Sequence, residues 1–264
     1  MLAVAREMNL SESSFVVKSR VADYGARYWT TVAEIPMAGH PTVATIYALI
    51  QAGRIEIHTE HQQITLELRV GIIPIDIYST KDGKVEKIMM TQKQPEFLSI
   101  HNPSIICPLF NLTPDDILEG VPIQTVSTGT PQVMFPLKSE ASLRKVRIAE
   151  PEAYTQYRTQ SDFFSPHFFI CVGISEGAST FARHFMPPPN LSEDPATGSA
   201  TGGMSAYCTK YKLLDKKKFI AEQGHWISRP SKIHVEVEKD TGGETKYVKI
   251  GGQAVLVLKG ELLL

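Results

Sequence analysis

Short stretches in which apolar and polar residues alternate recur along most of the 264-residue chain. Alternation of this kind is typical of strands that bury one face. Stretches with apolar residues three or four positions apart, typical of amphipathic helices, are few. The predicted strands are 14–17, 26–31, 54–59, 63–68, 84–90, 123–127, 132–137, 168–172, 180–185, 233–237, 247–250 and 254–258. The predicted helices are 2–9, 42–52 and 151–161, a short one that opens at Thr113 and one that carries Ser199.

This order of elements predicts an α+β fold with a mostly antiparallel sheet, because short strands far outnumber helices and most strands have no helix between them. We expect two lobes, each a sheet wrapped around one central helix. Pro, Asp and Gly cluster near 111–120, so the predicted lobes are residues 1–115 and 116–264. The last strand is expected to cross back to the first lobe.

Composition narrows the class of protein. The chain is 42% hydrophobic and 21% charged, as globular proteins are. Its 27 basic and 28 acidic residues give a net charge of -1, which favours neither nucleic acid nor an anionic membrane as a partner. No apolar run approaches the roughly 18 residues of a membrane span, and the first residues do not form a signal peptide. Cysteines 107, 171 and 208 have no metal-ligand spacing and are typical of reduced thiols in a cytoplasmic protein.

Residues 193–203 are the stretch with the clearest chemistry, Glu-Asp-Pro-Ala-Thr-Gly-Ser-Ala-Thr-Gly-Gly. Asp194 is predicted to cap a helix, with Pro195 at its first position. Thr197, Gly198 and Ser199 then offer hydroxyls and backbone N–H groups at the positive end of the helix dipole, where a carboxylate or an oxyanion binds well. The alternative is a capped, glycine-rich helix that only packs against a sheet.

Residues 37–45, Met-Ala-Gly-His-Pro-Thr-Val-Ala-Thr, have a similar design in the first half of the chain. Here residues 40–42 are predicted to correspond to residues 194–196. Two copies of one anion-binding design suggest two lobes that face each other across a cleft. The chain has no dinucleotide fingerprint, no phosphate loop and no pair of histidines at helical ligand spacing, so we expect no cofactor and no metal.

Several stretches resemble, in order, the signatures of the PhzF phenazine-biosynthesis-like family. They are residues 5–16, 38–41 and 194–200, supported by 127–131, 222–224, 229–230 and 251–252. The resemblance covers essentially the whole chain. It implies the diaminopimelate epimerase-like fold, with two pseudo-symmetric lobes and the active site between them. It also implies a cofactor-independent isomerase that moves a proton between carbons of a small substrate.

The same resemblance assigns roles to residues. Glu12 matches the family's catalytic acid/base, and His40, Asp194 and Ser199 match its substrate-holding and proton-relay residues. The residues expected to bind substrate are Gly39, Thr197, Gly198 and Ser199. An apolar cleft and a nearby Asp194 are expected to raise the pKa of Glu12 toward the working pH of an acid/base catalyst. The alternatives are a core histidine at position 40 and purely structural caps at 194 and 199.

Two other functions remain open at this point. A thiol-based epimerase flanks the substrate carbon with two cysteines, but Ala38 stands where one thiol is needed and no cysteine lies in either motif. One-base proton migration is therefore favoured over inversion of a centre. A catalytically idle member that binds a small molecule or a protein is the second alternative, and solvent deuterium incorporation would distinguish it.

The resemblance also bears on the start of the chain and on its partners. Family members normally begin with a strand and a loop before the helix that matches residues 5–8, so the first lobe is expected to be truncated here. We expect either a longer native chain or a homodimer that covers the exposed face. The expected partners are a small carboxylate-bearing substrate and a second copy of the chain, with no nucleic acid and no membrane.

Overall fold

Residues 1–262 are described by the computed structural model. Grouped by their contacts, the residues form two units. Unit 1 comprises Met1–Thr91 and the residues from Gly251 onward, and unit 2 comprises Gln92–Ile250. The stretch 111–120 belongs to unit 2, where Pro114–Asp116 form a 3-10 turn closed by a capping box.

Unit 1 is built from two helices and six strands. They are α1 (Leu2–Met8), β1 (Ser13–Val17), β2 (Tyr24–Trp29), β3 (Glu34–Ile35), α2 (Gly39–Gln51), β4 (His61–Leu68), β5 (Gly71–Ser79) and β6 (Val85–Thr91). The strands run in the order β1-β2-β4-β5-β6, and the short β3 pairs with β2. Strands β2 and β4 are parallel, because α2 lies between them in the chain and returns it to the same end of the sheet. Val43, Ile46 and Leu49 of α2 pack on the isoleucines of β4 and β5 to form the core.

Unit 2 is larger and contains four helices and nine strands. They are β7 (Glu96–His101), α3 (Pro103–Ile106), β8 (Ile123–Ser127), β9 (Pro131–Pro136), α4 (Glu140–Lys145), α5 (Pro151–Thr159), β10 (Ser165–Ile170), β11 (Ala178–Phe185), β12 (Glu193–Asp194), α6 (Gly198–Lys210), β13 (Lys218–Gln223), β14 (Ser231–Lys239) and β15 (Thr245–Gly252). Further 3-10 turns lie at Pro108–Phe110 and His225–Ile227. The sheet order is β15-β14-β13-β11-β10-β9-β8-β7, with β12 beside β11.

Both faces of the unit 2 sheet are covered. Met204 and Tyr207 of α6 pack on one face, together with Phe169 of β10. Leu143 of α4 and Tyr154 of α5 pack on the other, together with Phe168. A strand covered on both faces has no solvent-exposed side, which explains why residues 165–170 form a continuous buried run instead of alternating between buried and exposed.

The expected strand-rich mixture of helices and strands is confirmed, but two predicted strands are wrong. Residues 54–59 form no strand; Ile55 is buried in the unit 1 core, and the Tyr24 hydroxyl donates to the Arg54 carbonyl, so side chains fix this segment. Residues 254–258 form no strand either, and Val255 and Val257 are 78% and 88% exposed. Within residues 1–262, no helix combines the length and apolar character needed to cross a membrane.

Candidate active site

Two nine-residue segments, Glu34–Thr42 and Glu193–Thr201, share the pattern Glu-x-Pro-x-x-Gly-x-x-Thr. In each segment the first two residues form a short strand that pairs antiparallel with a long one, β3 with β2 and β12 with β11. In each, the glycine is the first residue of a helix of 13 residues. We call this shared arrangement the helix-start frame. It places His40 and Ser199 at equivalent positions, the second residue of α2 and of α6.

The expected correspondence between residues 40–42 and 194–196 is therefore wrong. Pro41 lies inside the first turn of α2, where the missing N–H costs nothing, whereas Pro195 precedes α6 by three positions. Asp194 is not the helix cap, because it belongs to β12 and pairs with His184 of β11. The residue at the N-cap position of α6 is Thr197.

An arginine of the long strand holds the glutamate of each frame. Arg183 binds Glu193 through two parallel hydrogen bonds, Nε to Oε1 at 3.0 Å and Nη2 to Oε2 at 2.6 Å. Arg27 binds Glu34 in the same paired manner, with Nη2 2.7 Å from Oε2. Bidentate pairs of this kind fix geometry as well as charge, so each pair fixes the short strand that leads into its helix.

The first half-site consists of Glu12, Gly39 and His40. Glu12 Oε2 lies 3.0 Å from His40 Nε2, and the Glu12 side chain is 13% exposed while that of His40 is 48% exposed. Glu12 directly precedes β1, and the hydroxyls of Ser14 on β1 and Thr45 on α2 are 2.6 Å apart. This contact ties the strand that follows Glu12 to the helix that carries His40.

The expectation that the pKa of Glu12 is raised is wrong for this arrangement. Burial does act to raise the pKa of Glu12, but hydrogen bonding and charge interaction with His40, aided by Ser11, lower the pKa below its ordinary value. The sequence argument considered burial and the charge of Asp194, and it overlooked His40 as a partner. Glu12 is therefore a carboxylate at neutral pH, as a proton acceptor must be.

The second half-site consists of Asp194, Thr197, Gly198 and Ser199, all of them half-buried. The Thr197 hydroxyl donates to Asp194 Oδ2 at 2.5 Å. Because α6 begins at Gly198, the backbone N–H groups of its first residues have no acceptor within the helix. They point along the helix axis at its positive end, which is the environment that binds carboxylates.

Two histidines lie directly behind the second half-site. His167 of β10 and His184 of β11 are 0% and 1% exposed, and their Nδ1 atoms are 3.3 Å apart. Burial lowers the pKa of His167 to about 3, and burial together with its neighbour lowers the pKa of His184 well below the ordinary value. Both rings are neutral at pH 7, and one Nδ1 donates a proton that the other accepts.

Each half-site is thus assembled within one unit, and their convergence on one substrate stays a prediction. Sequence reasoning missed three buried glutamines that contact the second half-site, Gln92, Gln132 and Gln223. Gln223 lies within residues 222–224 and Gln132 directly follows residues 127–131, two stretches that contribute to the family resemblance, but nothing local assigns either amide a role.

The model of the phenazine biosynthesis-like protein family, PhzC-PhzF, matches residues 1–260. The chain belongs to this family. An uncharacterised isomerase of Clostridium acetobutylicum is 34% identical over 275 residues, covering 100% of this chain and 88% of the relative. The trans-2,3-dihydro-3-hydroxyanthranilate isomerase of Pseudomonas aeruginosa is 29% identical over 266 residues, with the same shares of 100% and 88%. The crystal structure of a PhzF family protein of Bacillus anthracis has a TM-score of 0.86 to this chain at 30% identity, covering 100% of this chain and 88% of the other.

Neither half-site contains a thiol. The three cysteines of the chain all lie in unit 2, where Cys107 and Cys208 are buried and Cys171 is half-buried. Within residues 1–262 no three His, Cys, Asp or Glu side chains are grouped so as to hold a metal ion.

Proposed function

We propose that this protein is a cofactor-independent isomerase that moves a proton between two carbons of a small carboxylate-bearing substrate, with Glu12 as the general acid/base. The observation that carries the proposal is the contact of 3.0 Å between Glu12 Oε2 and His40 Nε2. The contact joins the ionised carboxylate of Glu12 to His40 at the start of α2. Relatives named isomerases support the reaction class.

The proton moves in two steps that leave the composition of the substrate unchanged. Glu12 removes a proton from one carbon, and the electron pair of that C–H bond shifts into the adjacent unsaturated system. The protonated Glu12 then gives the proton to a different carbon, and the double bond moves with it. Because the pKa of Glu12 is lowered, its protonated form is a stronger acid and its carboxylate a weaker base than an ordinary glutamate, which favours the second step over the first.

The remaining residues hold the substrate and assist the proton. His40 contacts Glu12 and supplies a partner for the carboxylate between the two steps. Asp194, hydrogen-bonded to Thr197, is the acidic group of the second half-site and is proposed to pass a proton. The groups proposed to bind a substrate carboxylate are the N–H groups and hydroxyls of Thr197, Gly198 and Ser199 at the start of α6, and Gly39 at the start of α2 is a further residue proposed to bind substrate.

The test is solvent deuterium incorporation. The purified protein is incubated in deuterium oxide with trans-2,3-dihydro-3-hydroxyanthranilate, the substrate named for the Pseudomonas relative, and with a panel of small unsaturated and amino carboxylates. We expect a shifted double bond in at least one compound, with deuterium at the receiving carbon to the extent that protonated Glu12 exchanges its proton with solvent between the two steps. Deuterium without a shifted double bond would indicate epimerisation, and neither a shifted double bond nor exchange in any compound would contradict the proposal.

Glu12→Gln provides the mutational test. The amide keeps the shape of the side chain but cannot accept a proton, so exchange should fall by about 10²–10⁴-fold while the protein stays folded. The matched control is Glu56→Gln, because Glu56 also pairs with a histidine in unit 1, His58 at 3.8 Å, but is 78% exposed. Equal exchange in the wild type and the Glu12→Gln variant would remove Glu12 from its role.

We further propose that the protein forms a homodimer. The support is a run of exposed apolar side chains after β15, with Val255, Leu256, Val257 and Leu258 at 78%, 52%, 88% and 78% exposed. Exposed apolar patches of this kind mark contact surfaces. Light scattering should give twice the mass of one chain for the wild type and the mass of a single chain for the Val257→Lys variant. A wild-type protein that stays monomeric at high concentration would contradict this.

A further inference from the structure

Three glutamine side chains converge on the start of α6 from three parts of the chain. Gln92 precedes β7, Gln132 lies on β9 and Gln223 ends β13. Their exposed fractions are 4%, 2% and 1%, so each amide is removed from water. Glutamine is seldom fully buried, because its four hydrogen-bonding sites must be satisfied inside the protein. We call these three residues the glutamine cradle.

Gln92 fixes the backbone of the first turn. Its Nε2 donates to the Gly198 carbonyl at 3.1 Å, and its Oε1 accepts from the Thr128 hydroxyl at 2.6 Å. The Gln92 side chain fits against α6 only because position 202 is glycine. A Cβ added to Gly202 would lie 1.7 Å from Gln92 Oε1.

Gln132 fixes the direction of the Ser199 hydroxyl. Its Nε2 donates to Ser199 Oγ at 3.2 Å. Since Ser199 accepts from Gln132, its own proton remains available to donate elsewhere. Within residues 1–262, Gln132 Oε1 has no hydrogen-bond partner; in the strand register Gln132 pairs with Ser165, whose buried Oγ has no partner among these residues either.

Gln223 fixes the residues just before the helix. Its Nε2 donates to the Asp194 carbonyl at 2.6 Å and to Thr197 Oγ1 at 3.0 Å, and its Oε1 accepts from the Thr197 N–H at 3.3 Å. All polar atoms of this amide group therefore bind residues of the second half-site. A glutamate here could accept but not donate, so the amide is required for these contacts.

The cradle supplies these hydrogen bonds without adding charge. Of the two carboxylates that directly precede the turn, Glu193 is paired with Arg183, and Asp194 accepts the Thr197 proton. A carboxylate at position 92, 132 or 223 would add a buried negative charge within a few ångströms of the proposed anion position. In a medium of low dielectric such a like-charge pair is strongly unfavourable.

We infer that the glutamine cradle positions the first turn of α6 and keeps it free of added negative charge, with Gln132 directing the Ser199 proton toward a carboxylate ligand. This inference rests on the proposed function for the ligand's identity. The three glutamines are positioning residues, because each acts through Asp194, Thr197, Gly198 or Ser199.

A test without any substrate uses a thiol reporter. Ser199→Cys places a thiol at the position of the serine hydroxyl, and its alkylation by iodoacetamide against pH, followed by mass spectrometry of the peptide that contains position 199, gives the thiol pKa. Adding Gln132→Glu should raise that pKa and slow alkylation at pH 7 by about tenfold, since a thiolate is disfavoured beside a carboxylate. Gln132→Met, which removes the amide without adding charge, should slow it much less.

The matched control is Gln124→Glu. Gln124 is also buried in unit 2, at 5% exposed, and its Oε1 accepts from the hydroxyl of Tyr211 at the C-terminal end of α6. The same chemical change at the opposite end of the same helix should leave alkylation of the reporter thiol unchanged. Gln92→Glu serves as a second test variant if Gln132→Glu does not fold.

Each outcome bears on the inference directly. Equal slowing by Gln132→Glu and Gln132→Met, or by Gln132→Glu and Gln124→Glu, would overturn it in favour of simple packing. Because no substrate is used, the result is independent of the deuterium assay. If deuterium is incorporated but Gln132→Glu does not slow alkylation of the reporter thiol, the inference about the glutamine cradle is wrong and the proposed function stands. If alkylation is slowed but no compound is isomerised or exchanged, the proposed function is wrong and the inference stands.

Discussion

The helices α2 and α6 begin in the same way and carry different chemistry. Both follow a Glu-x-Pro-x-x-Gly-x-x-Thr segment, and in both a strand arginine binds the glutamate of the frame. At the second helical position, however, unit 1 has an exposed imidazole in contact with a carboxylate, and unit 2 has a hydroxyl bound by a buried amide.

Comparing the two segments distinguishes the residues that build the helix start, which recur, from the side chains at 40 and 199, which differ. Glutamate, proline, glycine and threonine recur, and they set the short strand and the helix start. In both units the recurring threonine donates to the carbonyl of the residue four positions earlier, Thr42 to Ala38 at 2.7 Å and Thr201 to Thr197 at 3.0 Å. The side chains at 40 and 199 differ, an imidazole in one frame and a hydroxyl in the other, so the recurring residues alone do not fix what each half-site does.

The largest expected loss of stability comes from a change that breaks the helix-start frame of unit 2. Arg183 and Glu193 have side chains only 12% and 8% exposed, and Arg183 also donates to the Leu143 and Val146 carbonyls. Arg183→Met leaves a buried carboxylate unpaired, so the free energy of unfolding should fall by about 3–5 kcal/mol. Urea unfolding at pH 7 measures it, and adding Glu193→Met should recover most of the loss.

The same change in unit 1 should cost much less. Arg27 is 41% exposed, and Glu34, although itself only 9% exposed, keeps a second partner in Arg69 at 3.2 Å. Arg27→Met is therefore expected to lower the free energy of unfolding much less than Arg183→Met does. Equal costs in the two units would mean that neither the exposure of the arginine nor the second partner of Glu34 distinguishes the two frames.

The second effect is acid destabilisation that begins in unit 2. The pKa values of His167 and His184 are lowered in the folded protein from 6.5, that of His167 to about 3. Below pH 6.5 the unfolded chain binds protons that the folded chain does not, so this stability is complete above 6.5 and is lost as pH falls. The slope is about 1.4 kcal/mol per pH unit for each histidine, or roughly 3 kcal/mol for the pair at pH 5.5.

Unit 1 should lack this sensitivity, because the side chains of His40, His58 and His61 are 48%, 69% and 53% exposed. Hydrogen exchange at pH 7.5 and 5.5 should show protection lost first in β10 and β11. The double variant His167→Leu with His184→Met should remove most of the difference between the two pH values, leaving the part due to His101 on β7, whose pKa burial also lowers, and His58→Ala should preserve the full difference. Uniform loss across both units would contradict the assignment to the buried pair.

The third effect concerns the fourth residue after the start of the frame's helix, which is Val43 in α2 and Gly202 in α6. Helix propensity alone favours alanine over glycine by about 1 kcal/mol. At Gly202, however, the new Cβ meets Gln92 Oε1 at 1.7 Å, and overpacking of this kind costs about 1–3 kcal/mol. Gly202→Ala should therefore lower the melting temperature.

Gly203→Ala is the matched control for that change. Its new Cβ would meet the end of a flexible side chain, Met134 Cε at 2.6 Å, which can move aside. A smaller loss for Gly203→Ala than for Gly202→Ala would identify Gln92 as the reason for the glycine. A larger loss for Gly203→Ala than for Gly202→Ala would mean that the Gln92 side chain can move aside at little cost.

How much of this could be predicted from the sequence depends on the range of the interactions. The helices that carry His40 and Ser199 were predicted, because glycine and proline punctuation and helical periodicity are local. The register between the two segments was wrong, because the dipeptides His-Pro and Asp-Pro look alike and the strand arginines that define the frame were not considered. Strand β5 was missed because Pro74 interrupts its pattern; pairing with β6 starts only at Ile75, so the missing N–H is tolerated.

The cradle and the low pKa of Glu12 were out of reach for a different reason. Gln92 contacts a residue 106 positions away, and Gln132 one 67 positions away. Glu12 and His40 are likewise brought together only when β1 and α2 pack. An amide or an imidazole acquires a role from its partner, and no local pattern identifies that partner.

The smallest expected effect sharpens the comparison at the first half-site. His40 lowers the pKa of Glu12 against the effect of burial, so His40→Gln should raise that pKa. A carboxyl group with a lowered pKa stabilises the fold above its unfolded pKa, and that stability is lost as pH falls through the folded value. His40→Gln should therefore cost about 0.5–1 kcal/mol at pH 7, reduced by the exposure of His40, and nothing near pH 2. Carbon NMR of the Glu12 side chain against pH measures the shift, with His58→Gln, beside the exposed Glu56, as the matched control. An unchanged Glu12 titration in His40→Gln would mean that Ser11 and the surrounding backbone, not the imidazole, hold the carboxylate ionised, and the two half-sites would then differ less than their side chains suggest.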